Sequence, residues 1–136
     1  MIKLAQPLKT ISFYDPMPRN ELIKHIKKSS VCLVPLKNKK IFNFALPSKM
    51  FEYMACEKPI IVGVNGEAKK LLKVSKSGIH VQPENSKMLS EAILKYFNNK
   101  NKIQEHGKNG LKYITDNLEK EVLISNLIQK IKSNFE

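Results

Sequence analysis

Arginine is nearly absent from this chain: of its 24 basic residues only Arg19 carries a guanidinium, and the rest are lysines. Aromatic residues make up just 7% and stand mostly at core-like spacing. These two scarcities argue against a surface that reads guanine edges with bidentate forks or stacks bases on rings. No apolar run approaches the ~18 residues of a membrane span, and the N-terminal MIKLAQPLK lacks the hydrophobic centre of a signal peptide. The expected compartment is therefore the cytoplasm. Cys32 sits in an apolar run and Cys56 near a helix end, with no CxxC pair and no closely spaced histidine, so buried thiols are expected rather than ligands or a bridge. His25, His80 and His106 are scattered and no carboxylates cluster at ligand spacing, so nothing visible requires a metal. Neither an internal repeat nor a low-complexity linker divides the sequence, and 136 residues suit one hydrophobic core.

What is plentiful is lysine. With 12 acidic residues against 24 basic ones the formal charge is +12, a surface that attracts nucleic acid, acidic lipid headgroups or phosphorylated small molecules. The same excess also follows from a lysine- and asparagine-rich composition, and then it speaks only to solubility and non-specific binding. A hydrophobic share of 42% and a charged share of 26% are those of a globular protein.

Along the chain, β-rich runs alternate with helical periodicity. TISFY (10–14) reads as a strand, DPMP as a turn, and NELIKHIKKSS as a helix with Leu22, Ile23 and Ile26 on one stripe behind Asn20 as a possible N-cap. VCLVPL (31–36) and PIIVGV (59–64) are apolar on both parities, the pattern of strands buried on both faces of a parallel sheet. Asn65-Gly66 makes a turn before a helix over Glu67 to Ser75, and GIHVQP (78–83) reads as the fourth strand. Ser86 or Asn85 can cap a helix that places Leu89, Ala92, Ile93, Tyr96 and Phe97 on one face. Two further helical segments follow, 101–115 interrupted by Gly107 and Gly110, and 118–133. This rhythm predicts an α/β fold: a Rossmann-like parallel sheet of about four strands with helices on both faces, finished by C-terminal helices. It forms one domain over 1–136, with strand-helix units at 10–83 and the helices at 86–134.

The stretch LPSKMFEYMACEKP (46–59) holds the chemistry. Ligands of open parallel sheets sit beyond the carboxyl ends of the strands, where loops enter helix N-termini. Pro47 needs no backbone donor there, Ser48 can cap, and the free N–H groups of the first turn suit a phosphate, with Lys49 adding charge. Glu52 lies one turn further on the same face, placed to accept two hydrogen bonds from vicinal ribose hydroxyls. On spacing alone the same residues also describe an ordinary helix start.

The run PSKMFEYMACEKPIIVGVNGEAKKLL, followed by SGIHVQPEN, SEAILKYF and HGKNGLKYI, resembles the C-terminal, donor-nucleotide part of family 4 glycosyltransferases. These are retaining enzymes of the GT-B fold that use nucleotide-sugar donors. The similarity extends from about Ile11 to the C-terminus and is greatest to bacterial enzymes that transfer N-acetylated amino sugars in surface polysaccharide synthesis. It implies that Glu52 holds the donor ribose, that Pro47, Ser48 and Lys49 lie near the diphosphate, and that Phe13, Tyr14 and Asp15 lie by the nucleobase. Gly66 and Glu67 match a loop facing the donor. The family usually has a sugar-contacting glutamate eight positions before the ribose one, where this chain has Phe44, preceded by Asn43.

The resemblance implies no cofactor. The substrate would be a nucleoside diphosphate sugar, of the uridine type for preference, and hexosyl-type transfer would belong to the complete enzyme. Met1 falls near the family's third strand, so the acceptor domain and two βα units are expected elsewhere, the chain being a fragment, a truncated reading frame or one subunit of a split enzyme. In a sheet of order 3-2-1-4-5-6 the first two strands would separate TISFY from VCLVPL. Without them, either TISFY pairs directly with VCLVPL, the favoured arrangement, or a partner subunit or second copy covers that edge. Lys37, Lys39 and Lys40 are expected on the ligand side, facing an anionic donor or an acidic membrane at the inner face of the plasma membrane. Two other readings share these residues: a catalytically silent nucleotide- or anion-binding module, and a basic nucleic-acid-binding protein, which the arginine shortage disfavours.

Overall fold

The computed structural model describes residues 10–133. Three runs rich in β-branched residues become strands, β1 Cys32–Pro35, β2 Ile60–Gly63 and β3 Gly78–His80. They form one parallel sheet in the order β1-β2-β3, with Cys32 opposite Ile60 and Ile60 opposite Gly78. The helices are α1 Arg19–Lys28, α2 Ser48–Ala55, α3 Glu67–Ser75, α4 Ser86–Phe97, α5 Lys100–Leu118 and α6 Lys120–Ser133, and a 3-10 turn, Lys40–Phe44, precedes α2. The expected α/β architecture, a parallel sheet with helices on both faces, is present, with three strands among the described residues where about four were expected.

The two faces have separate cores. Cys32, Val34, Ile60 and Val62 pack against Ile26 of α1, Met50 and Met54 of α2 and the Ala68–Leu72 face of α3. On the other side Ile61 and Val81 meet Ala92 and Tyr96 of α4, with Ile103 of α5 at the margin. Central β2 is buried throughout, and each such side chain withdrawn from water contributes about 1.5–3 kcal/mol.

α2 stops at Glu-Lys-Pro for a definite reason. Glu57 adopts a left-handed φ of 58°, its N–H reaches the Met54 carbonyl at 2.9 Å, and the Lys58 N–H reaches that of Tyr53 at 2.9 Å. This paired closure satisfies the last carbonyls, and Pro59 then turns the chain into β2. α5 rests on that closure. Gly107 and Gly110, expected to interrupt this segment, lie inside one continuous helix. A Cβ on Gly107 would stand 2.4 Å from the Glu57 carbonyl oxygen, and one on Gly110 would stand 3.1–3.3 Å from Ser77 and Met54 side-chain atoms. Close approach to α2 offsets the ~1 kcal/mol that each helical glycine costs relative to alanine.

Two strand expectations need correction. TISFY forms no strand: residues 11–18 have no regular structure, Ile11, Phe13 and Tyr14 are exposed, and among the described residues β1 is the terminal strand, with no pairing to this segment. β-forming composition is not enough without a suitable partner edge. The Cys32 and Leu36 N–H groups point to β2, so Leu33 and Pro35 face outward, and Pro35 has no N–H to give. α1 also buries only Ile26, which anchors the crossover weakly. The second correction concerns VCLVPL, which is not buried on both faces. Burial alternates along β1, leaving Leu33 and Pro35 exposed, because α4 covers the β2 and β3 side of that face and stops short of β1.

Candidate functional site

The carboxyl ends of the strands open into loops at 36–47, 64–66 and 81–85, and each loop is tied to another. The Asn38 N–H donates to Glu84 Oε2 at 3.0 Å, joining the first loop to the third, with Glu84 itself at a φ of 60°. Gly66, at a φ of 70°, receives the Asn43 backbone so closely that a Cβ would lie 1.9 Å from the Asn43 carbonyl oxygen. His80, at the end of β3, meets Asn65 through Nε2 and Oδ1 at 3.2 Å. Burial pushes the His80 imidazole below its ordinary pKa, Lys69 pushes the same way, and a hydrogen bond to the Val64 backbone opposes both. The balance favours the uncharged ring.

On this platform Pro47 occupies the N-cap of α2, and its carbonyl accepts from the Met50 N–H at 3.0 Å. Ser48 is the first helical residue instead of the expected cap, because the helix begins one position earlier in register. α2 has no side-chain cap, so Ser48 and Lys49 stand exposed at its front. Glu52 follows one turn later with its side chain 41% exposed, and Arg19 Nη2 lies 3.9 Å from Glu52 Oε1. Asn20 likewise does not cap α1. Pro18 does, its carbonyl accepting from Glu21 and Leu22 at 3.0 Å each.

Phe13, Tyr14 and Asp15 line a groove of ≈ 600 Å³ together with Pro16, Met17 and His25. Tyr14 is tilted against His25 of α1, ring centroids 5.0 Å apart. The link from this groove to α2 is Arg19, the first residue of α1. Of the four residues expected at the donor-side loop, the structure brings Asn43 against Gly66, while Phe44 next to it is exposed to solvent. Glu67 is engaged by Lys70 of its own helix at 2.7 Å. Ile41 and Phe44, three apart on a 3-10 turn and so on one edge, are 73% and 84% exposed. Lys37, Lys39 and Lys40 stand exposed beside them.

Arg19 is the site residue that sequence reasoning missed. A signal existed: the single arginine stands directly after the DPMP turn and opens a helix. A second apolar groove of ≈ 220 Å³, formed by Leu33, Pro35, Ile61, Gly63, Val81 and Leu89, runs beside the open edge of β1. It too escaped the sequence. Among the described residues no group of three His, Cys, Asp or Glu side chains could hold a metal ion, and no helix is long and apolar enough to cross a membrane.

A parallel α/β layer with its loops gathered over the strand ends defines a Rossmann-like domain. The sequence profile described as glycosyl transferases group 1 matches residues 1–113, and the chain belongs to that family. Its structure is similar to that of sucrose-phosphate synthase from Thermosynechococcus elongatus, with a TM-score of 0.77 and 21% identity, a likeness of fold. The match covers 98% of this chain and 32% of that one, so the chain spans about a third of the length of that relative. Comparison with curated proteins finds no match.

Proposed function

We propose that the chain is the donor nucleotide-sugar-binding part of a retaining glycosyltransferase that acts in polysaccharide or glycoconjugate synthesis. The observation that carries this reading is the placement of Glu52, half-exposed, behind the uncapped front of α2 and linked by Arg19 to the groove at Phe13–Asp15. The free N–H groups of α2 and Lys49 suit a diphosphate, Glu52 suits the ribose hydroxyl pair, and the groove suits a base, with uridine favoured. Transfer to an acceptor hydroxyl rests on holding the donor and on stabilising the departing diphosphate. The acceptor is held by a further domain or partner subunit, and pairing of two copies is a second way to cover the β1 edge. The exposed Ile41 and Phe44 beside three lysines support contact with an acidic membrane at the cytoplasmic face.

One observation favours the silent-module reading. Phe44, exposed to solvent, stands where a sugar-contacting glutamate would act, leaving Asn43 as the nearest polar group of that segment. A thermal-shift panel of uridine, guanosine, adenosine and cytidine diphosphates tests donor binding. A ligand at a hundred times its Kd stabilises by ~2.7 kcal/mol, and selective stabilisation by one of the four is expected. No shift with any of them refutes the donor site. Sugar transfer after addition of an acceptor domain separates enzyme from module. Binding of DNA that falls steeply with salt and ignores nucleoside diphosphates would instead support the nucleic-acid reading.

A further inference from the structure

We infer that Arg19 is a specificity-determining residue that makes this site prefer nucleoside phosphates over nucleosides, by exchanging its partner when a donor binds. The inference rests on the ribose role proposed for Glu52. Arg19 Nη2 and Glu52 Oε1 are 3.9 Å apart, beyond hydrogen-bond distance, with the two side chains 81% and 41% exposed. Such a solvated pair shifts an equilibrium by at most about fivefold, so a ligand can open it at little cost.

A neutral nucleoside that takes Glu52 with its hydroxyl pair leaves Arg19 without a partner. A nucleotide that takes Glu52 in the same way also brings an anion, and the guanidinium fork matches phosphate oxygens bidentately. The exchange therefore conserves charge pairing only when the ligand is phosphorylated. Arg19 starts this exchange from beside Glu52, which lies one helical turn behind Ser48 and Lys49 at the front of α2. It opens α1 directly after the Phe13–Asp15 groove, and α1 is held to that loop by the Tyr14–His25 ring contact. A lysine could satisfy the charge but not the fork.

The test uses the full chain and isothermal titration of uridine against uridine 5′-diphosphate, and of the guanosine, adenosine and cytidine pairs, at fixed ionic strength. Arg19→Gln is expected to weaken diphosphate binding by about tenfold or more while leaving the nucleoside unchanged or slightly tighter, and Arg19→Lys is expected to restore part of the loss. A ratio of the two affinities that stays constant in Arg19→Gln, whether both fall or neither moves, overturns the inference, since a merely structural role shifts both ligands alike. Glu52→Gln separates the two levels of the reasoning. If it weakens nucleoside and diphosphate together while Arg19→Gln leaves their ratio fixed, only the exchange fails. Where Glu52→Gln affects neither ligand, or the unaltered chain binds none, the ribose reading fails and takes the exchange with it.

Discussion

Replacing Gly66 by alanine should unfasten the ligand end of the sheet. Gly66 caps α3 at φ 70° and ψ −131°, a region closed to residues with a Cβ, and strain of this kind costs about 1–3 kcal/mol. The new methyl would also stand 1.9 Å from the Asn43 carbonyl oxygen and 2.6 Å from the Asn43 Cα. Backbone rather than a flexible side chain must then give way, and the 3-10 turn at Lys40–Phe44 has to lift. For a chain of this size 1 kcal/mol moves the thermal midpoint by about 4 °C, so a fall of about 4–12 °C is expected by circular dichroism. Amide exchange should accelerate at residues 41–44 beyond the global change. Gly63 is the internal control, because a Cβ there meets Pro35 and Val81 atoms at 3.6 Å, an ordinary contact. Alanine at 63 should leave the midpoint unchanged or raise it through a stiffer unfolded chain, by about 0.4–1 kcal/mol. A Gly66→Ala protein that melts with the wild type, or a Gly63→Ala protein equally weakened, refutes the reasoning.

α2 offers opposite results from its two sides. Met54→Ala removes a fully buried side chain and should cost about 2–5 kcal/mol in denaturant unfolding. Glu52→Ala should change stability by under ~1 kcal/mol yet weaken nucleotide binding by about 1.5–3 kcal/mol, and unchanged affinity in calorimetry would return Glu52 to a plain helix residue. Asn85 accepts from the Met88 N–H at 2.9 Å as the cap of α4, so Asn85→Ala should lose about 1 kcal/mol. Burial lowers the pKa of His80 and His106 from 6.5, so the unfolded chain binds protons more readily. The stability this contributes is complete above pH 6.5 and is lost as the pH falls through the lower folded values. Midpoints measured from pH 7.5 to about 5 should decline, and His80→Gln should flatten part of the slope.

Local chemistry was legible in the sequence, and long-range fit was not. The helix over Glu67 to Ser75, a cap at Asn85, one of the two residues expected to fill it, and the strand in PIIVGV appear where residue pattern puts them, because periodicity and capping act over one or two turns. TISFY failed because a strand is a property of a pair of segments, and Pro35 leaves the expected VCLVPL edge short of a donor. Gly107 and Gly110 read as helix breakers by propensity, while their reason is the Glu57 carbonyl and Met54 lying on top of them. Ser48 was one register step from the cap it was expected to fill. Arg19 belongs with Glu52 only in space, so no local pattern could have paired them.

Pro35 has a consequence for how the open side of the sheet can be used. An edge that offers the Leu33 N–H but none at the next outward position gives an incoming backbone too few rungs to fix its register. Recognition on this side is left to shape, to how well a side chain fills the hollow between Leu33 and Leu89. Cross-β stacking, which depends on uninterrupted rungs, gains little hold on such an edge. Among the described residues the sheet thus presents an apolar face with its backbone guarded, sticky to a well-fitting surface and indifferent to a merely extended one.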